Sequence, residues 1–174
     1  LAVPNREIRN IILDRVLILF REKVSQNGEL LRNFCDAILA ADAKNVELLL
    51  TEYMKKTISV RDNFAKSLHE NFYHGLMIGI LGYRRDWEIL SNRESGDGFS
   101  DILIETKNPK NGVGIVIELK YSDNEKKLEA DSEEALQQIE DKKYKQELLN
   151  RDYQKILKYG IAFYHKQCCV KAAM

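Results

Sequence analysis

The stretch SDILIETKNPKNGVGIVIELK, Ser100 to Lys120, carries two runs of β-branched and aliphatic residues on either side of NPKN, with Asp101, Glu118 and Lys120 set among them. Proline in a short polar segment between two such runs marks a turn, so Asn108–Asn111 reads as the loop of a hairpin. That loop sets a register in which Lys107 faces Gly112, Glu105 faces Gly114, Leu103 faces Val116, and Asp101 falls opposite Glu118. Lys120 lies further along on the same face. Ile102, Ile104, Ile115, Ile117 and Leu119 gather on the other face, an aliphatic set that needs a helix to bury it. A slip of one residue would scatter that set, so the hydrophobic pattern checks the pairing independently.

Facing residues on paired strands hold their Cβ atoms about 5 Å apart, and two carboxylates at that distance repel. A divalent cation removes the conflict, because Mg2+ or Mn2+ takes carboxylate oxygens and bridges to the oxygens of a phosphate. A lysine beside it can orient or deprotonate a water, or neutralise charge that develops on the phosphate. Together the three residues suit metal-assisted phosphodiester hydrolysis. The plainer alternative leaves each acid solvated at a strand end, with Lys120 pairing one of them, and explains a matched set of three poorly. Asp97, in SGDG, is a competing first acid but sits out of register. His74 follows Glu70 by one helical turn and could join a metal site or stay a hydrogen-bonded core histidine; His69 and His165 have no evident partner.

Outward from the hairpin, WEILSN forms a preceding strand, divided from it by the Gly-rich RESGDGF, and consecutive strands with short connections are antiparallel neighbours. DSEEALQQIEDKKYKQELL follows as one amphipathic helix with Asp131 or Ser132 as N-cap, and YGIAFYHK and CCVKAA are two more strands. Ahead of the strands, a helix from about Asp62 to Leu81 turns apolar on nearly every side after Phe72 and reads as buried. The order helix, three strands, helix, two strands is α/β, a mixed central sheet flanked by helices. Residues 1–58 show three further helical patterns, REIRNIILDRVLILFREKV, ELLRNFCDAILAA and AKNVELLLTEYMKK, with no chemical motif, and are expected to form a helical connecting region before a domain over 59–174.

The 174 residues, 44% of them hydrophobic, suffice for one compact core. The 27 basic and 27 acidic residues cancel, so any nucleic-acid surface has to be local. Neither a signal peptide nor a membrane-spanning run is visible, and a soluble cytoplasmic protein is expected. Cys35, Cys168 and Cys169 lack metal-site or redox spacing and are expected to be reduced packing residues. A chain that opens on Leu rather than Met is expected to be cut from a longer protein.

These residues resemble the PD-(D/E)XK nuclease superfamily: SD, a hairpin and then ELK stand where its motif has them, with Ser100 in the place of the proline. ENFYHGLMIGILG, SNRESGDGFSDILI, GIVIELK, EALQQIEDKKY and YGIAFYHKQCCVK together resemble the C-terminal nuclease-like domain of uncharacterised bacterial proteins that carry an AAA-ATPase-like domain upstream, over about residues 60–172. The resemblance implies a restriction-endonuclease-like core of order αβββαβ, with Asp101, Glu118 and Glu70 as ligands of Mg2+ or Mn2+ and Lys120 as catalytic lysine. It also implies Gln138 as a glutamine lining the site near the substrate, and Tyr144 more weakly. Nucleic acid, DNA in preference to RNA, is the implied substrate, and the upstream ATPase-like domain of the same protein the implied partner. VPNREIRN looks like the segment that follows such a domain, and this chain carries no GK[ST] phosphate-binding motif of its own. From the residues alone, Glu70 is equally a helix-surface glutamate and Gln138 equally the edge of an apolar stripe.

Two functions compete. The first is a Mg2+-dependent nuclease with phosphate contacts from Arg84, Arg85, Arg93 and Lys107, which are equally ordinary solvated charges. The second is a non-catalytic nuclease-like module that binds nucleic acid or docks the ATPase-like partner. The intact set of two acids and a lysine favours the first, and the zero net charge favours a partner-dependent role. A purely structural α/β domain leaves the facing carboxylates unexplained.

Overall fold

The computed structural model describes residues 28–58, 69–95, 98–106, 112–141 and 145–174, the side chains of 69–71, 92–101, 141 and 145–147 excepted. The helix expected over Arg6–Val24 and the loop Asn108–Asn111 lie outside these residues. Helix α1 (Gly28–Leu39) turns Leu31, Phe34, Cys35 and Ile38 inward, residues that recur at helical spacing. Asp42 caps α2 (Ala43–Thr57), its carboxylate accepting the Asn45 N–H at 3.1 Å, and Val46, Leu50, Tyr53 and Met54 form the buried face. Helix α3 (His69–Leu81) buries Tyr73, Leu76, Met77, Ile80 and Leu81.

The strands lie in space in their chain order: β1 (Trp87–Ser95), β2 (Gly98–Thr106), β3 (Val113–Tyr121), β4 (Lys155–Tyr164) and β5 (Gln167–Ala173). Neighbours are antiparallel except β3 and β4, which are parallel and joined through α4 (Leu128–Asp141) and α5 (Lys145–Asn150). The order αβββαβ and the mixed sheet are therefore as expected. So is the hairpin register, which pairs Ile102 with Ile117, Leu103 with Val116, Ile104 with Ile115 and Glu105 with Gly114.

The two faces of the sheet bury different things. Ile102, Ile104, Ile115, Ile117 and Leu119 join Leu157, Tyr159, Ile161 and Phe163 beneath α1, α2 and α3. On the other face Leu103, Val116 and Ile156 pack with Ile139 of α4, Leu148 of α5 and Tyr153. Polar ties lace the N-terminal helices to the last strands: Tyr159 Oη donates to Ile38 O at 2.6 Å, and the Val170 N–H donates to Glu47 Oε2 at 3.0 Å.

Two local expectations change. The RESGDGF segment is mostly strand, because β1 and β2 stay paired out to Ser95 opposite Gly98, and cross-strand pairing outweighs the low strand preference of these residues. Helix α4 starts at Leu128, after a 3-10 turn at Glu125–Lys127, rather than at Asp131 or Ser132. Burial of Leu128 draws the helix start forward, and the Ser132 hydroxyl, now inside the helix, donates back to Glu129 O at 2.8 Å. The junction between α4 and α5, residues 142–144 with Tyr144 included, lies outside the described residues.

Burial pushes the Cys35 and Cys168 thiols from 9.0 up to about 12, in keeping with packing residues. Because the folded state holds these groups neutral, their contribution to stability is complete below about pH 9 and is lost as the pH climbs towards 12. The Tm should therefore fall across that range. Iodoacetamide should spare both thiols in the folded protein near pH 8 and modify them in urea; rapid native modification of either would contradict the assignment.

Candidate active site

Strand β3 is buried from Gly114 to Leu119, yet its α4-facing side carries Glu118 and then Lys120. Glu118 is 5% exposed and its Oε2 is closed off from solvent. A carboxylate so placed requires compensating charge or hydrogen bonds. The β2–β3 pairing ends at Ile102–Ile117, and Asp101 is the β2 residue next to that last pair; its side chain lies outside the description. The Lys120 ammonium pairs with the carboxylate of Glu134 on α4.

Helix α4 reaches this point because of a glycine. In the parallel register Glu118 neighbours Gly160, and a Cβ at Gly160 would overlap Ser132 O and Leu136 N of α4. Lacking one, β4 lets the helix backbone lie directly upon it. From α4 the Glu134 carboxylate reaches Lys120, whose β4 neighbour is the small Ala162. Since α4 joins two parallel strands, it runs back along them, which sets half-buried Gln138 one turn past Glu134 in the direction from Lys120 towards Glu118.

Glu70 comes from the other layer, as the second residue of α3. Tyr73, one turn later, stacks on Phe163 at 4.4 Å and on Tyr121 at 6.0 Å between ring centroids, and its Oη donates to His165 O at 2.5 Å. Those contacts pin the start of α3 at the C-terminal ends of β3 and β4, where open α/β sheets bind their ligands. Glu118, Lys120 and Gln138 thus share one side of the sheet, while Asp101 belongs to the adjacent strand β2 and Glu70 to the start of α3, both side chains outside the description. Of the histidines, His74 is buried within the α3 packing, and His165 is exposed at the β4–β5 turn with φ 52°.

Arg84 departs from expectation. It is held by Asp86 through two contacts at 2.8 and 2.7 Å and by Asp36 at 3.3 Å, and it lies over the Trp87 ring. Trp87 pairs with Thr106, whose hydroxyl accepts the Val113 N–H, so this cluster sits at the start of β3, about 23 Å along the strand from Lys120. Arg84 is a structural cation at the far end, not a phosphate contact at this site.

Among the described residues no three His, Cys, Asp or Glu side chains gather. A cation at Glu118 would draw on Asp101 and Glu70 as well, and carboxylate oxygens are the donors that Mg2+ and Mn2+ take, so the residue types fit such an ion. Sequence reading missed Gly160 and Glu134. A glycine inside the YGIAF strand is a signal for close backbone approach, whereas Glu134 looked like one of several acids at the start of a helix.

The sequence profile of the PD-(D/E)XK nuclease superfamily matches residues 68–173, more than half of the chain. The chain belongs to this superfamily, and its mixed five-stranded sheet between helical layers is the restriction-endonuclease-like architecture. No curated protein matches it. No helix among the described residues is long and apolar enough to cross a membrane.

Gly160→Ala should destabilise the fold by about 1–3 kcal/mol through backbone overlap with α4. Gly114→Ala should cost less, because there the new methyl meets the movable end of Leu148 at 2.7 Å. Urea unfolding of both variants compares them, and a loss at Gly160 no larger than at Gly114 would contradict the helix contact.

Proposed function

We propose that this chain is a divalent-metal-dependent nuclease that hydrolyses phosphodiester bonds, of DNA in preference to RNA, and forms the C-terminal part of a longer protein with an ATPase-like domain upstream. The observation that carries the reading is buried Glu118 with Lys120 two residues on, on one strand face at the C-terminal end of the parallel pair, and Asp101 on the adjacent strand next to the last β2–β3 pair. Membership of a nuclease superfamily supports it. The preference for DNA and the upstream partner rest on the resemblance of the quoted segments.

In this reading Asp101, Glu118 and Glu70 hold Mg2+ or Mn2+, which when bound supplies Lewis-acid charge to the scissile phosphate. The water oxygen bonds to phosphorus as the P–O bond to the leaving sugar oxygen breaks. Lys120 is the cation beside this chemistry. Released from Glu134, its ammonium can hold the attacking water or offset the negative charge that develops on the phosphate. The Gln138 amide, at the rim, offers both donor and acceptor to the strand being cut.

Glu118→Ala should abolish divalent-dependent cleavage and divalent binding together. Lys120→Ala should keep the metal while cleavage falls by about 100-fold or more, and Glu70→Gln should weaken the metal without eliminating it. Cleavage of single-stranded DNA, duplex DNA and RNA, with metal binding measured on the same samples, tests all three. Cleavage that survives Glu118→Ala would place the activity elsewhere. The Lys120–Glu134 pair favours one second reading, a non-catalytic module in which that pair is permanent; wild type that binds metal and DNA and never cuts, even with the upstream domain restored, would establish it.

A further inference from the structure

Two carboxylates lie within reach of one ammonium. Glu118 stands two residues before Lys120 on the same strand face, roughly 6.6 Å away between Cα atoms, a span that a lysine side chain covers easily. Glu134 approaches from α4, the helix that Ser132 and Leu136 seat on Gly160. Other acids of that helix serve other cations: Glu129 and Glu133 pair with Lys171 at 3.0 and 3.1 Å, and Glu140 pairs with Lys158. An ammonium settled on Glu118 would compete with a divalent cation for the same oxygens.

We propose that Glu134 is a positioning residue that draws Lys120 towards α4 and thereby keeps the Glu118 carboxylate available to a divalent cation. This rests on the reading of the site as metal-binding. The Glu134 side chain is 69% exposed and that of Lys120 23%, so water screens the pair and it exchanges readily. Such a tether holds the lysine near the site without locking it away from an incoming phosphate. Glu134 needs no contact with the reacting atoms for this role.

Mn2+ affinity of the intact chain, measured by calorimetry for wild type, Glu134→Gln, Lys120→Met, the double variant and Glu118→Ala, tests the proposal, with urea midpoints confirming that each is folded. Glu134→Gln should bind Mn2+ about fivefold more weakly, the scale of a partly exposed ion pair. Lys120→Met should bind at least as tightly as wild type, and adding it to Glu134→Gln should restore the wild-type affinity, since no ammonium is left to occupy Glu118. A double variant as weak as Glu134→Gln alone would mean that Glu134 acts only through the fold, and overturns the proposal. Loss of Mn2+ in Glu118→Ala with unchanged affinity in Glu134→Gln overturns this inference and leaves the metal site standing. Undiminished binding in Glu118→Ala, or no binding by the wild type, removes the metal site and this inference with it.

Discussion

Pairing of Ile102 with Ile117 and of Ile104 with Ile115 decides what every other element of this protein has to do. With side chains alternating along a strand, a one-residue slip would turn Glu118 and Lys120 towards Tyr159 and Ile161 beneath the N-terminal helices. Uncompensated burial of ionised groups there would cost several kcal/mol each. In the observed register the aliphatic residues meet α1, α2 and α3, and the ionisable ones meet α4.

The second face handles its buried acids in two ways. Glu105, near the start of β3, is paired with the guanidinium of Arg151, and beside it Tyr153 Oη donates to Thr106 O, which closes that end of the face. Further along, α4 lies over β3, β4 and β5, seated on Gly160, and its flank brings Glu134 and Gln138 alongside the strand that holds Glu118. A rigid guanidinium holds the structural acid, while the acid of the candidate site has a flexible lysine for its neighbour.

The hairpin was legible because its evidence is local: a turn residue, a fixed loop length and alternation in both arms all point to one pairing. The sheet flanked by helices on both faces was legible too, since the pattern of helices and strands leaves few ways to bury β3 on both sides. Gly160 and Glu134 were not, because their meaning depends on where a crossover helix lands on a strand more than twenty residues later in the chain. The start of α4 was misplaced because Ser132 satisfies both cap and interior roles, and only the burial of Leu128 decides between them. Arg84 shows the limit of charge reading: an arginine before a strand looks free until Asp86, two residues on, and Asp36, from another helix, are seen to hold it.

The tie between Glu47 and Val170, and the one between Ile38 and Tyr159, join points more than a hundred residues apart along the chain. During synthesis the helices that carry Leu31, Phe34, Ile38 and Leu50 emerge first, and β4 and β5, the surfaces that cover them, emerge last. At ribosomal rates of about 5–20 residues per second, that interval is roughly 6–25 s. For that time the apolar stripes of α1 and α2 lack the β4 and β5 residues that complete their burial.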